Sequence, residues 1–186
     1  QDNVLPLESG KKISLFGLGS AKFVYSGLGS GAIDTTKTTS LKDALEAEGF
    51  QVNPDLYSVY EKSEARVGKE EDPSTYLDSV ADSVKEYNDA AIVVIGRSGS
   101  ESVDLPTEYL SFTQEERNLI QMATERFDKV ILLLNVTNPI NMTELSRYDI
   151  DAVLWVGALG QEGAYAVGEA LNGTVNPSGH LVDTWA

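Results

Sequence analysis

Three short runs of uninterrupted apolar residues constrain this chain more than any other feature: Ala91 to Ile95, Val130 to Leu134 and Ala152 to Val156. Each is too short for an independent helix and rich in branched side chains, so each reads as a strand buried on both faces. Between them, apolar residues return at helical spacing. Ser40 is placed to cap a helix with Leu41, Ala44 and Leu45 on one face and Gly49 after its last turn. Pro54 to Lys62 reads as helix, and Asp72-Pro73 opens a helix predicted to run to about Tyr87, burying Leu77, Val80, Ala81 and Val84. Thr113 and Glu116 have capping-box spacing ahead of a helix with Leu119, Ile120, Ala123 and Phe127 inward. Gly157 to Gly163 opens a last helix, which Gly173 closes, and Thr143 to Tyr148 is read as a short one. Ile13 to Phe16, Phe50 to Val52 and Leu181 to Thr184 are read as further extended pieces. Strands alternating with amphipathic helices predict an α/β fold, a three-layer α/β/α sandwich with a mostly parallel, flavodoxin-like sheet. Residues 1–186 are read as one such domain, with 1–11 as a lead-in tail.

In such a fold every loop that leaves the carboxyl end of a strand lies on one edge of the sheet. The glycine- and serine-rich segments 17–31, 96–106, 135–141 and 157–163 all leave strands in that sense, so the topology gathers them on one rim. The segment Gly17 to Thr38 has no periodic pattern and is longer than the ~12–15 residues of an ordinary connection, which marks it as functional or disordered. Ala90 to Pro106 runs from a buried strand into a loop of Gly96, Ser98, Gly99 and Ser100, with Glu101 at its centre.

Composition excludes several functions. The formal net charge of −15 repels phosphate backbones and anionic membranes, so neither nucleic acid nor a membrane surface is an expected partner. No apolar run reaches the ~18 residues of a membrane span. The absence of cysteine removes disulfides and thiolate metal sites, and leans toward an extracytoplasmic location without fixing one. With one histidine and no EF-hand spacing, no metal is expected, and no cofactor. A start without methionine and a stop at Asp183-Thr-Trp-Ala186 suggest a piece of a longer protein.

Neither Gly17-Leu-Gly19 nor Gly27-Leu-Gly29-Ser-Gly31 has the G-x-G-x-x-G spacing that opens a helix under a pyrophosphate. His180 stands in the turn sequence Asn176-Pro-Ser-Gly-His without a G-x-S-x-G elbow, which points to a surface histidine. Asn135, Asn141 and Asn172 begin glycosylation sequons, read as chance. The acidic run Glu70-Glu71-Asp72 is read as solvated surface. What remains is Glu101. A carboxyl group on a partly dry loop suits proton delivery to a leaving oxygen, yet Glu101 is also one of 29 acidic residues, and the surface reading stands beside the catalytic one.

Five motifs then fall in order along the chain: Asn3-Val-Leu-Pro-Leu7, Tyr25-Ser-Gly27-Leu-Gly29-Ser-Gly31, Arg97-Ser-Gly99-Ser-Glu101-Ser-Val-Asp104-Leu-Pro106, Gly160-Gln161-Glu162-Gly163 and Asn176-Pro-Ser-Gly179. Together they resemble the α/β-sandwich domain of glycoside hydrolase family 3, the β-glucosidase and β-xylosidase family. The resemblance implies a retaining exo-β-glycosidase, a β-glucosidase first among them, acting on a β-glucoside or oligosaccharide. It implies Glu101 as general acid/base, Tyr25, Gly29, Ser30 and Arg97 at the substrate edge, and a nucleophile on a (β/α)8 barrel of the same protein that this chain lacks. It also implies a domain order with the sandwich first, from the ending Val182-Asp-Thr. Ser100 and Ser102 stand where the family has glycines, and Leu105-Pro106 where it often has a basic residue. A non-catalytic structural or carbohydrate-contacting module of the same fold is the alternative; a flavodoxin-like nucleotide binder comes third.

Overall fold

A computed structural model describes residues 4–185; Gln1, Asp2, Asn3 and Ala186 lie outside the described residues, so the lead-in motif is seen from Val4 onward. Five strands form one sheet: β1 (Lys12–Phe16), β2 (Gln51–Val52), β3 (Ala90–Arg97), β4 (Val130–Val136) and β5 (Ala152–Trp155). All pairings are parallel, in the order β2-β1-β3-β4-β5. The expected mostly parallel sheet is thus all-parallel, in the flavodoxin-like order. Side chains alternate between its faces. On one face Phe16, Val93, Ile95, Leu132 and Leu134 pack against α2 (Pro54–Lys62), α3 (Ala81–Glu86) and α4 (Gln114–Arg126) through Leu56, Tyr60, Val84, Leu119 and Ala123. On the other Ile13, Leu15, Ile92, Val94, Ile131 and Leu133 meet Leu41 and Leu45 of α1 (Leu41–Ala47) and Val167 and Leu171 of α5 (Ala164–Asn172). These are the three layers of the sandwich. Each fully buried aliphatic side chain contributes roughly 1.5–3 kcal/mol, which explains why β3 and β4, buried along their whole length, are the strands most legible as apolar runs.

The local signals behave as their chemistry requires. Ser40 accepts from the Asp43 N–H at 3.0 Å and Asn53 from the Leu56 N–H at 3.1 Å, each satisfying a donor that a helix start leaves open. The Thr113–Glu116 capping box is closed in both directions.

Four expectations are corrected. The helix from Pro73 to Tyr87 is two 3-10 turns, Pro73–Thr75 and Leu77–Val80, before α3 begins. Thr75, Ser79 and Ser83 turn their hydroxyls onto the carbonyls of Asp72, Tyr76 and Val80, and such local bonds compete with the α-helical ladder. β5 is not buried on both faces: it is an edge strand, with Val153 and Trp155 exposed. Leu181 to Thr184 forms no strand; Val182 is exposed, and the segment is tied down by the Met142 N–H donating to the Trp185 carbonyl at 3.1 Å. The lead-in is more than a tail, since Val4 and Leu7 are buried and the Leu7 N–H donates to the Leu171 carbonyl at 2.7 Å.

Candidate active site

The strand order places a switch point at β1 and β3: the chain leaves β1 toward β2 on one side, then returns to β3 on the other. Crevices outside the carboxyl ends of two such strands are where open α/β sheets bind ligands. The loops leaving them are 17–38 and 98–113, which carry Tyr25, Gly29, Ser30 and Glu101.

The exit from β1 is built to tight tolerance. Gly17 has φ 90°, and a Cβ there would lie 2.5 Å from the Val94 carbonyl oxygen, so the position admits glycine alone. The next residue's N–H, that of Leu18, donates to Glu70 Oε2 at 2.7 Å. Glu70 is therefore no solvated member of an acidic run: burial pushes its carboxyl up to about 7, against the pull of that N–H bond. Asn135, fully buried at the end of β4, accepts from the Val24 N–H at 2.6 Å and donates to the carbonyls of Val24 at 2.8 Å and Gly157 at 2.7 Å. One amide thereby ties the loops after β1 and β5 to the end of β4, and its burial removes Asn135 as a glycosylation acceptor. Further along, the Gly160 N–H donates to the Tyr25 carbonyl at 2.8 Å and the Thr39 N–H to the Gln161 carbonyl at 3.1 Å. The rim expected from topology is physically joined.

At its exposed end two loops meet. The Leu28 N–H donates to the Gly99 carbonyl at 2.9 Å, and Leu28 and Ser100 form a parallel bridge. Gly29 then turns with φ 83°, and Ser30 Oγ donates to Glu101 Oε2 at 2.5 Å. Glu101 is exposed. Beyond it Ser102 has φ 59°, the one non-glycine residue with a left-handed backbone among the described residues. A glycine would hold that conformation at no steric cost, so it is the residue that the resemblance leads one to expect at this position.

The other predicted site residues divide. Tyr25 is partly buried, its ring 5.4 Å from that of Phe23, and its hydroxyl donates to the Thr39 carbonyl at 2.9 Å; burial holds the phenol above its usual range. Arg97 is corrected. It is 0% exposed, its guanidinium gripping Glu116 through two bonds of 2.5 and 2.7 Å and reaching the carbonyls of Gly96 at 2.9 Å and Ser111 at 3.3 Å. The Tyr109 ring covers it at 5.2 Å. A side chain so committed cannot line a substrate pocket; it anchors both ends of the loop that carries Glu101. His180 lies elsewhere, on an apolar groove with Trp155, Trp185 and Leu181. Among the described residues no cluster of three or more His, Cys, Asp or Glu side chains offers a metal cage.

Sequence reasoning missed the roles of Asn135 and Glu70 and the pairing of Glu116 with Arg97. For Asn135 a signal existed: a polar residue inside an otherwise apolar strand must find partners when buried.

The whole chain, residues 1–186, matches the model of the glycosyl hydrolase family 3 C-terminal domain. The chain belongs to that family. Among its relatives, the β-glucosidase of Ruminococcus albus is 30% identical over 201 residues, spanning 100% of this chain and 21% of that protein. β-Glucosidase A of Butyrivibrio fibrisolvens is 29% identical, spanning 99% and 26%. Of solved structures, a β-glucosidase from Paenibacillus barengoltzii superposes with a TM-score of 0.82 at 30% identity, over 99% of this chain and 22% of that one. β-Glucosidase 3B of Thermotoga neapolitana, in complex with α-D-glucose, gives 0.80 at 27%, over 96% and 27%. The family 3 chain described here thus spans about a quarter of the length of these relatives, and its fold is that of an α/β sandwich within them.

Proposed function

We propose that this chain is the sandwich-domain portion of a retaining exo-β-glycosidase, a β-glucosidase, in which Glu101 is the general acid/base and the nucleophile lies on a (β/α)8 barrel outside the 186 residues. The observation that carries the reading is the position of Glu101: an exposed carboxylate on the loop leaving β3, at the switch-point rim, with the loop pinned two residues ahead of it by the Leu28–Gly99 bond and its side chain held by Ser30. The two relatives described above are β-glucosidases, which directs the reading to terminal β-linked glucose.

Retention needs two carboxyl groups roughly 5–5.5 Å apart, one to protonate the leaving oxygen and one to attack the anomeric carbon. In this reading the Glu101 carboxylic acid gives its proton to the glycosidic oxygen as the C1–O bond breaks, the barrel carboxylate bonds to C1 and the alcohol leaves. Water then attacks C1 while the Glu101 carboxylate takes its proton, which frees the sugar and restores both groups. Gly29 stands at the aglycone side, and Ser30 beside it holds Glu101. The neighbouring barrel supplies the dry surroundings that an exposed side chain lacks here.

The test is Glu101→Ala in the full-length protein. General acid–base assistance is worth ~10²–10⁴-fold, so the variant should lose about that much on an alkyl β-glucoside, far less on a dinitrophenyl β-glucoside, and recover in part with azide. Unchanged rates on both substrates would instead support a non-catalytic module of the same fold.

A further inference from the structure

We infer that Ser30 is a positioning residue for Glu101, holding one carboxylate oxygen so that the other is presented to the glycosidic oxygen; this rests on the acid/base role proposed above. Glutamate has three side-chain torsions, and a freely rotating acid spends little time at a productive angle. Here the freedom is restricted from several directions. The backbone on the amino-terminal side of Glu101 is tied to the loop after β1 by the Leu28–Gly99 bond of 2.9 Å and the Leu28–Ser100 bridge. On the carboxyl-terminal side Ser102 is held at φ 59°, a conformation a serine adopts only where its surroundings impose it.

Between these constraints Ser30 Oγ donates to Glu101 Oε2 at 2.5 Å. The approach depends on Gly29. Its φ of 83° turns the loop back on itself, and a Cβ there would lie 3.5 Å from Ser100 Oγ and 4.0 Å from Glu101 Oε2, so the loop backbone passes directly against the acid's loop. Glu101 Oε1 makes no hydrogen bond among the described residues, which leaves it as the oxygen that carries and delivers the proton.

The division of the two oxygens has a kinetic consequence. When Oε1 gives up its proton, negative charge spreads over the carboxylate, and the Ser30 O–H already points at the other half of it. The bond is stronger to the carboxylate than to the acid, so it strengthens toward the transition state of glycosidic cleavage and counts in the rate rather than in substrate binding. Its effect scales with how much the leaving group needs the proton.

The experiment compares Ser30→Ala, Ser30→Thr and Glu101→Gln in the full-length protein, each on an alkyl β-glucoside and a dinitrophenyl β-glucoside. Ser30→Ala should lower kcat/KM on the alkyl substrate about tenfold, part of the range that acid–base assistance supplies, and leave the dinitrophenyl substrate within about twofold. Ser30→Thr, which keeps the hydroxyl, should return the alkyl rate to within about threefold of the parent. Equal losses of Ser30→Ala on both substrates, or no rescue by threonine, would overturn the positioning role. Glu101→Gln separates the layers. If it loses the alkyl rate while Ser30→Ala does not discriminate, Ser30 alone is misassigned; if it keeps the alkyl rate, the acid/base assignment itself fails.

Discussion

Glu70 shows what a single half-buried carboxyl does to the chain's pH response. Burial raises its folded-state value to about 7 from 4.5, although the Leu18 N–H opposes the shift. The groups facing it are Tyr60, Tyr76, Glu71 and Glu116, none of them cationic. The raised value means that the fold favours the protonated form. Stability from this group is therefore fully present below about 4.5 and is lost as pH rises through about 7. Each unit is worth ~1.4 kcal/mol, so the loss is about 3 kcal/mol at the top of the window. Glu70→Gln keeps an oxygen for the Leu18 N–H and removes the titration. Urea unfolding of parent and variant from pH 4 to pH 9 should show the variant gaining, relative to the parent, up to about 3 kcal/mol above pH 7, with no gain near pH 4. A flat difference across that window would contradict the burial argument. The residue was illegible in the sequence because Glu70-Glu71-Asp72 has the composition of a solvated run; only the fold brings the open N–H of Leu18, 52 positions away, to its carboxylate.

At the scale of elements, the loop between β3 and α4 is held at its two ends by one ion pair. Arg97 closes β3, Glu116 sits in the first turn of α4, and Glu116 Oε2 also accepts from the Thr113 N–H at 2.8 Å, so a single carboxylate serves the capping box and the guanidinium. Removing one partner of a buried pair strands the other charge, at roughly 3–5 kcal/mol. Arg97→Met should lower the unfolding free energy by about that much. Arg97→Met with Glu116→Leu should recover most of the loss, less about 1 kcal/mol for the broken cap. A double variant no better than the single one would show that the anchor acts through its hydrogen bonds to the Gly96 and Ser111 carbonyls rather than through charge. The elements themselves were legible where the signal is local: the apolar runs of β3 and β4, the cap at Ser40, the box at Thr113. Sequence reading failed where the answer depends on what lies alongside. The run Ala152 to Val156 has the same apolar character as β3, yet no strand pairs with the outer edge of β5 among the described residues, and a short apolar run does not announce whether it is central or terminal. Arg97 likewise carries the composition of a ligand-binding residue, and its partner is 19 positions downstream.

For the molecule as a whole, folding and the proposed catalysis separate. Both faces of the sheet are covered by helices of this chain, with continuous apolar clusters on each side, and a chain of 186 residues buries enough surface to hold such a core unaided. The switch-point rim, by contrast, presents Glu101 outward, and its proposed chemistry needs a second carboxyl group roughly 5–5.5 Å away on the far side of a bound sugar. A chain spanning 21% to 26% of the length of its β-glucosidase relatives should accordingly be a stable fold with half of a reaction centre. The purified 186 residues should unfold cooperatively in urea and yet release no aryl alcohol from an aryl β-glucoside. The readout distinguishes two ways of being inactive: a misfolded fragment would lose the cooperative transition, whereas a domain deprived of its nucleophile keeps it. Turnover by the isolated chain that disappears in Glu101→Ala would mean that both carboxyl groups reside within it, and the division of the site between two domains would have to be abandoned.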